Sequence, residues 1–456
     1  MFKRALILAA AFAACAAGMA LAQLQPNYTP QVQTVNNADL FQDVVNGAPF
    51  PQAIYASGAL LSGVYAQAGQ SDNYLIGGDA GQNLWQRGTT SAGGTITNTS
   101  LPYTADRWVG WSSLTGTTFT VNQVTTAAAL PTGTLDALQV KLSNSQTGTG
   151  QVCIAQEIAS QNAVYLAGHT VELDFSAYAG ATWTASALNA YIIYGTSTDE
   201  GTSKLAYALN AGGGGSSTWT GQTNATIGAF PLSVSTLTRA AAIATLPSTA
   251  SEVAVALCFT PSGTSSGTGG TDYVSYSNIE LRKADYLAAF ANSTTAYTVN
   301  TSSTNPSQSY ITATINNAVQ NGAIPAFSRR LAAVEAALQY QYYWQINEPA
   351  ASKAVGNGNY QTSTICDVQI PTPVPMRIAP TLTIGGTTES ATTWAVMIAS
   401  TTPVVLASTY LIQDAVIGNT PNMIAVQGTT ASKTAGQGCT LVGAGGGANI
   451  QASAEL

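Results

Sequence analysis

The chain has 456 residues, which allows two or three domains with cores of their own, and 8% of them are charged, against about a quarter in an ordinary soluble domain. A net charge of -7, from 21 acidic and 14 basic side chains, leaves no basic stripe to neutralise phosphates, so no nucleic acid partner is expected. The surface must instead be built from hydroxyls and amides.

In chain order, residues 1–22 read as a signal peptide. Met1-Phe2-Lys3-Arg4, an apolar run from Ala5 through Ala14 and beyond, and Ala20-Leu21-Ala22 before Gln23 are its three parts, and they predict export with cleavage after Ala22. The run holds Gly18 and stops short of a good membrane span. A lipoprotein variant through Cys15 meets Phe12 where a small aliphatic residue is usual. Residues 23–72 read as a polar N-terminal arm or small packing element, with Ile54–Ala66 its best feature.

From 73 to 284 short β-type runs alternate with Gly, Ser, Thr and Pro clusters, the pattern of a sandwich or barrel. Thr118–Val121, Leu138–Leu142, Thr170–Phe175 and Glu252–Phe259 are such runs, and alternation sends Val140 and Leu142 one way, Gln139 and Lys141 the other. Glycine-rich loops are expected at Asn210–Ser217 and Ser262–Thr271. Residues 285–325 read as a Ser/Thr/Asn-rich linker. A helix is expected over 326–344, with Leu331, Val334, Leu338 and Tyr342 at helical spacing and Ser328 as its cap. A smaller C-terminal β domain, 345–456, follows with the runs Thr362–Ile370, Thr381–Ile384, Trp394–Ile398 and Met423–Val426.

Apart from Cys15, the cysteines are Cys153, Cys258, Cys366 and Cys439, an even number in a chain sent to an oxidising compartment. Three pairings are open. One bridge per domain, Cys153 with Cys258 and Cys366 with Cys439, fits the boundary between Cys258 and Cys366, and four buried free thiols are the alternative. No C-x-x-C spacing suggests zinc or redox chemistry.

His169 is the single histidine and there is no G-x-S-x-G elbow, so His169 reads as a turn residue bonded to backbone, not as a catalytic base. Glycoside cleavage would need paired carboxylates, for which Glu157, Glu172, Asp174, Asp199 and Glu200 are the candidates. Glu172 and Asp174, two apart in one strand, share a face, and solvating an outer sheet face is their commoner role. Oxygen-only calcium would draw on Asp79, Asp199, Glu200 or Asp272, but no EF-hand spacing is present and no cofactor is expected.

Binding suits the composition better, because aromatic faces, amides and hydroxyls recognise neutral sugars where charges have little to hold. With 20 Tyr and 7 Trp available, Trp183, Tyr191, Tyr194 and Trp219 are the candidate carbohydrate-binding residues. Trp219, flanked by Gly212–Gly215 and Gly221, is the best exposed of them, whereas Trp85, Trp108 and Trp111 read as core.

Asn73-Tyr74-Leu75-Ile76-Gly77-Gly78-Asp79, Leu84-Trp85-Gln86-Arg87-Gly88-Thr89 and Tyr103-Thr104-Ala105-Asp106-Arg107-Trp108 together resemble the opening of a β jelly-roll module. That module occurs in phage tail and fibre proteins and in related carbohydrate-binding domains. Leu166–Asp174, Thr218–Gln222 and Tyr273–Leu281 match it further, and Arg329-Arg330, Tyr342-Tyr343-Trp344 and Pro375–Pro380 resemble what commonly follows it. The likeness covers residues 73 to 385 and rests on the order of the motifs. It implies a mainly β fold, a jelly-roll β-sandwich followed by one helix and a smaller C-terminal β domain. It also implies a non-enzymatic tail or fibre protein, a homo-oligomer and by family analogy a trimer, whose partner is a cell-surface glycan.

Two features depart from the pattern. Gly77-Gly78 stands where Asn-Gly is usual, and the signal-like start is unusual in a virion protein, which brings in a secreted bacterial adhesion protein as the alternative. A glycoside hydrolase is the third reading. The expected location is extracellular or cell-surface, or the virion if the gene is a phage's.

Overall fold

A computed structural model describes residues 73–88, 96, 102–113, 116–125, 136–143, 147–185, 187–201, 219–230, 232–235, 237–261, 272–285, 297–298, 310–314, 327–347, 354–385, 394–398, 404–405, 411–413, 417–430, 433–443 and 449–455. The signal-like start, the arm, both glycine-rich loops and most of the linker lie outside them. All the described residues belong to one compact unit, Tyr65–Leu456.

The chain forms β1 (Val109–Ser112), β2 (Phe119–Val124), β3 (Ala137–Leu142), β4 (Val152–Ile158), a one-turn helix α1 (Ser160–Ala163), β5 (Thr170–Ala179) and β6 (Leu188–Gly195). Next come β7 (Thr223–Phe230), β8 (Leu237–Thr245), β9 (Glu252–Phe259), β10 (Tyr273–Lys283), β11 (Tyr297–Thr298), β12 (Tyr310–Thr314) and α2 (Ala332–Tyr340). The C-terminal strands are β13 (Tyr343–Asn347), β14 (Ala354–Tyr360), β15 (Ile365–Pro371), β16 (Thr381–Gly385), β17 (Trp394–Met397) and β18 (Val404–Val405). The last are β19 (Leu411–Gln413), β20 (Met423–Thr429), β21 (Gly438–Gly443) and β22 (Asn449–Ser453). The fold is mainly β, as the run pattern predicts.

Two sheets make the first sandwich, ordered β1-β4-β9-β6-β7 and β11-β12-β8-β5-β10-β3-β2. Between β4 and β10 the chain changes sheet at nearly every step, so each strand's inner face meets the opposite sheet. Val140 and Leu142 enter the shared core, while Gln139 and Lys141 turn outward. Phe175 lies at the centre, edge-on to Phe230 at 5.6 Å and to Tyr276 at 6.5 Å. Trp85 and Trp108 belong to this core, and Trp111 is buried on the outer side of the five-stranded sheet.

The C-terminal strands form a three-stranded sheet, β13-β22-β16, and a seven-stranded one, β18-β17-β21-β14-β15-β20-β19. Tyr360, Trp394, Ile424, Val426 and Leu441 are among the side chains that fill a core of their own. Cys153 and Cys258 face each other across β4 and β9 and are bridged with Cα atoms 4.2 Å apart. Cys366 and Cys439 are bridged at 6.5 Å, on the two strands that flank β14.

The helix departs from its sequence pattern. It runs only from Ala332 to Tyr340, and Tyr343–Asn347 is a strand, not a last turn. Leu331 occupies the cap position, while the Ser328 N–H bonds Glu280 instead. Its buried residues are Glu335 and Gln339, whereas Leu331 is 63% and Val334 40% exposed. Leu338 and Tyr342 of the expected stripe do turn inward, onto Ile76 and Ala159, but most of the surface on which the helix docks is the polar backbone of 73–88.

Candidate functional site

Residues 73–88 run as loops and turns, and side chains from α2 and its flanks meet their polar backbone. Gln339 accepts the Leu84 N–H at 2.7 Å and donates to the Gln82 carbonyl at 2.9 Å. Glu335 accepts the Gly77 N–H, and Arg330 donates to the Leu75 carbonyl at 2.6 Å and to that of Asn73. A hydrophobic face could satisfy none of these groups.

The same joint gathers two arginines. Arg87 stacks on Tyr343 at 3.5 Å and on Tyr103 at 4.7 Å, and pairs with Glu455 at 3.0 Å. Arg107 lies over Tyr342 at 3.7 Å, pairs with the other oxygen of Glu455 and donates to the Glu157 carbonyl at 2.7 Å. Beside them burial pushes the Asp106 carboxyl up to about 6, against hydrogen bonds from Gln86 and the charge of Arg87. Trp85 (φ 49°) and Arg107 (φ 71°) are held in the left-handed region, which bulky side chains rarely adopt and which tends to be retained at functional sites.

A groove of about 420 Å³ opens here, lined by Trp85, Gln86, Arg87, Gly88, Tyr343, Gln345, Asn347, Asn449 and Gln451. Its floor follows from strand alternation. On β13 Trp344 and Ile346, and on β22 Ile450 and Ala452, turn into the C-terminal core. That leaves Gln345 opposite Gln451 and Asn347 opposite Asn449 as a tile of four amides on the other face. The Tyr343 hydroxyl donates to Gln345 Oε1 at 2.9 Å, Gln345 Nε2 donates to Asn347 Oδ1, and Gln451 Nε2 donates to Asn449 Oδ1 at 3.2 Å. Each strand thus carries an oriented relay ending on an asparagine NH2, beside carbonyl lone pairs that still accept.

The four aromatic candidates do not assemble. Trp219, expected to be exposed, is buried at 1% exposure. Its flanking glycine does not free it. Gly221 (φ 64°) makes the tight turn that folds the indole back onto the outer face of the five-stranded sheet, where its N–H reaches the Gly201 carbonyl at 3.1 Å. There it joins Trp111, Ile193 and the Cys153–Cys258 bridge, with Tyr191 half-buried alongside and accepting from Gln151 at 3.1 Å. Trp183 and Tyr194 pack from the opposite side, against the sandwich core, with Trp183 tilted on Phe259 at 4.7 Å. The sequence reading missed Gln345, Asn347, Asn449 and Gln451. Their signal is the period-two alternation in Tyr343–Asn347 and Asn449–Ser453, the first of which is cut by the expected helix end at 344.

Glu172 and Asp174 do share an outer face, but it is a buried one and they do not solvate it. Asp174 pairs with Arg239 at 3.1 Å, Glu172 with Arg282 at 3.2 Å, and Arg282 also holds Glu280 at 3.2 Å. Burial raises the carboxyls of Glu172 and Glu280, the latter to about 7, in spite of Arg282. Glu157 is buried too and is pushed up to about 8, first by desolvation and then by Glu252 and Asp199, against Arg107. Of the calcium candidates, Asp79 pairs with Arg329 at 2.7 Å and Asp199 with Arg377 at 2.6 Å. Glu200 accepts the Thr220 hydroxyl at 3.1 Å and Asp272 that of Thr184 at 2.9 Å. Among the described residues no cluster of three or more His, Cys, Asp or Glu could hold a metal ion. His169 is a turn residue whose N–H bonds the Leu166 carbonyl at 3.1 Å, and its imidazole bonds the Asp285 carboxylate at 2.8 Å.

No family model matches the chain, and no curated protein does. Solved structures similar to it include the enzymatically active domain of tailspike protein 4 from bacteriophage CBA120, at 11% identity and a TM-score of 0.26 over 47% of this chain and 22% of that one. TmCBM61 in complex with β-1,4-galactotriose is similar at 9% identity and a TM-score of 0.24, over 47% of this chain and 100% of that one. The mannan-recognising module TmCBM27 is similar at 13% identity and a TM-score of 0.20, over 39% and 89%. The chain thus spans about a fifth of the tailspike chain's length.

Proposed function

We propose that this chain is a non-enzymatic structural protein of the phage tail or fibre type that recognises cell-surface carbohydrate, and that the groove at the joint is its binding site. The observation that carries the reading is the tile of Gln345, Asn347, Asn449 and Gln451 beside Tyr343 and Trp85, with no carboxylate among the described lining residues. A neutral, heavily hydroxylated ligand presents donors and acceptors in alternation and no charge, and side-chain amides answer both. Glycoside cleavage asks for two carboxyls facing the substrate, and the candidate pair Glu172 and Asp174 is instead caged by arginines.

Export through the N-terminal signal and assembly as a homo-oligomer, trimeric by analogy, belong to the same reading. The two disulfides suit an oxidising compartment. The signal-like start also favours a second reading, a secreted bacterial adhesion protein binding through the same groove, and light scattering of the mature protein separates a trimer from a monomer. The test of the site is a glycan array with the wild type and Gln345→Ala/Gln451→Ala, each checked for fold by circular dichroism. Two or three lost hydrogen bonds predict affinity lower by about 10-fold or more. An array without binding, or a variant that binds like the wild type, overturns it.

A further inference from the structure

A second groove, of about 470 Å³, lies on the C-terminal domain, away from the joint residues, and is lined by Asn357, Gly358, Asn359, Gln361, Asp367, Gln369 and Ile417. Its central strand, β14, reads Ala-Val-Gly-Asn-Gly-Asn-Tyr, and both Gly and Asn are depleted in strands. The glycines have a packing reason. A Cβ on Gly356 would stand 2.6 Å from Ile370 Cγ1, and one on Gly358 would stand 1.7 Å from the Asp367 carbonyl oxygen. The asparagines have none, because alternation puts Asn357 and Asn359 on the solvent side, followed by Gln361, with all three exposed. A row that costs strand propensity and buries nothing is the kind of local inconsistency that function explains.

The row is also oriented. Thr440 donates to Asn357 Oδ1 at 3.0 Å, which fixes the direction of that amide. Across the groove Gln427 donates to Asp367 Oδ1 at 2.9 Å, holding a carboxylate that is 7% exposed. Gln369 stands exposed beside it and Ile417, 39% exposed, supplies an apolar rim. No cation is among the described residues that line the groove.

We infer that the C-terminal domain carries its own site for a neutral oligosaccharide, so that one chain holds two glycans. Asp367 offers lone pairs to sugar hydroxyls, and as the one charged group among the described lining residues it disfavours uronates and other acidic sugars. The inference rests on the reading that the chain binds carbohydrate, but it uses other residues.

Isothermal titration of the full chain with xylohexaose, cellohexaose and mannohexaose, and with hexagalacturonic acid as the anionic control, tests it. The expected result is two equivalents of at least one neutral hexasaccharide per chain and weaker binding of the uronate. Asn359→Ala/Gln369→Ala should bind one equivalent, and so should the near-isosteric Asn359→Asp/Gln369→Glu, which serves if the first fails to fold. Gln345→Ala/Gln451→Ala should also bind one. A single equivalent in the wild type, lost only in the joint variant, overturns the second site and leaves the first. No binding of any hexasaccharide overturns both, and stoichiometry unchanged in both C-terminal variants overturns the second site.

Discussion

Replacing Gln339 by Ala should destabilise the joint more than replacing Leu331, the first residue of the helix's apolar stripe. Gln339 is fully buried, and its amide is the partner of one donor, the Leu84 N–H, and one acceptor, the Gln82 carbonyl. Truncation leaves both without that partner, at about 1–3 kcal/mol each, so the joint should lose about 2–6 kcal/mol. Leu331→Ala removes a side chain that is 63% exposed and should stay within about 0.5 kcal/mol of the wild type. A chain with two cores need not unfold in one step, so the sharper assay is hydrogen exchange at the Leu84 amide, which should quicken by about 30-fold or more in Gln339→Ala and hold its rate in Leu331→Ala. Equal costs for the two variants, or an unchanged Leu84 rate, would refute the reading that this helix docks through polar side chains.

The raised carboxyls give a pH dependence. Glu157 (about 8, from 4.5), Glu280 (about 7, from 4.5) and Asp106 (about 6, from 3.8) bind more protons folded than unfolded, so stability falls as pH rises from about 4 to 8. Tm should therefore drop across that window and Glu157→Gln should flatten the drop, whereas a flat or rising wild-type profile speaks against it. Cys366→Ser/Cys439→Ser, which opens a link between residues 73 apart in sequence, should cost about 4 kcal/mol, read as a lower urea midpoint for the C-terminal core. Trp219→Ala should cost about 3–5 kcal/mol as a core truncation and leave glycan-array binding unchanged. Lost binding with the fold intact would move the ligand to the outer face of the five-stranded sheet.

The β architecture was legible because alternation in runs such as Ala137–Leu142 and Glu252–Phe259 is a local signal with a direct structural meaning. The helix was legible in its existence but not in its orientation. Leu338 and Tyr342 of the stripe pack inward but Leu331 and Val334 do not, because a docking partner made largely of turns also selects side chains that hydrogen-bond, and no local pattern announces that partner. Trp219 failed for a related reason, since glycines beside an aromatic mark a turn without saying whether it folds the ring out or in. The motifs around Trp85, Arg107 and Tyr343 were each visible in the sequence. Their convergence in one joint was not, because it depends on contacts between residues some 260 to 370 positions apart.

Glu455 ties Arg87 and Arg107 together across 368 and 348 residues. On a ribosome adding about 5–20 residues per second, the two guanidinium groups wait roughly 20–70 s for their shared carboxylate. Every strand of the first sandwich is made before then. Leu75 and Trp85 of residues 73–88 can already pack into the sandwich core, but the Gly77 and Leu84 amides wait for Glu335 and Gln339 through most of the interval. Those two amides are thus a clock, exchanging with solvent while the chain is unfinished and protected once the joint closes.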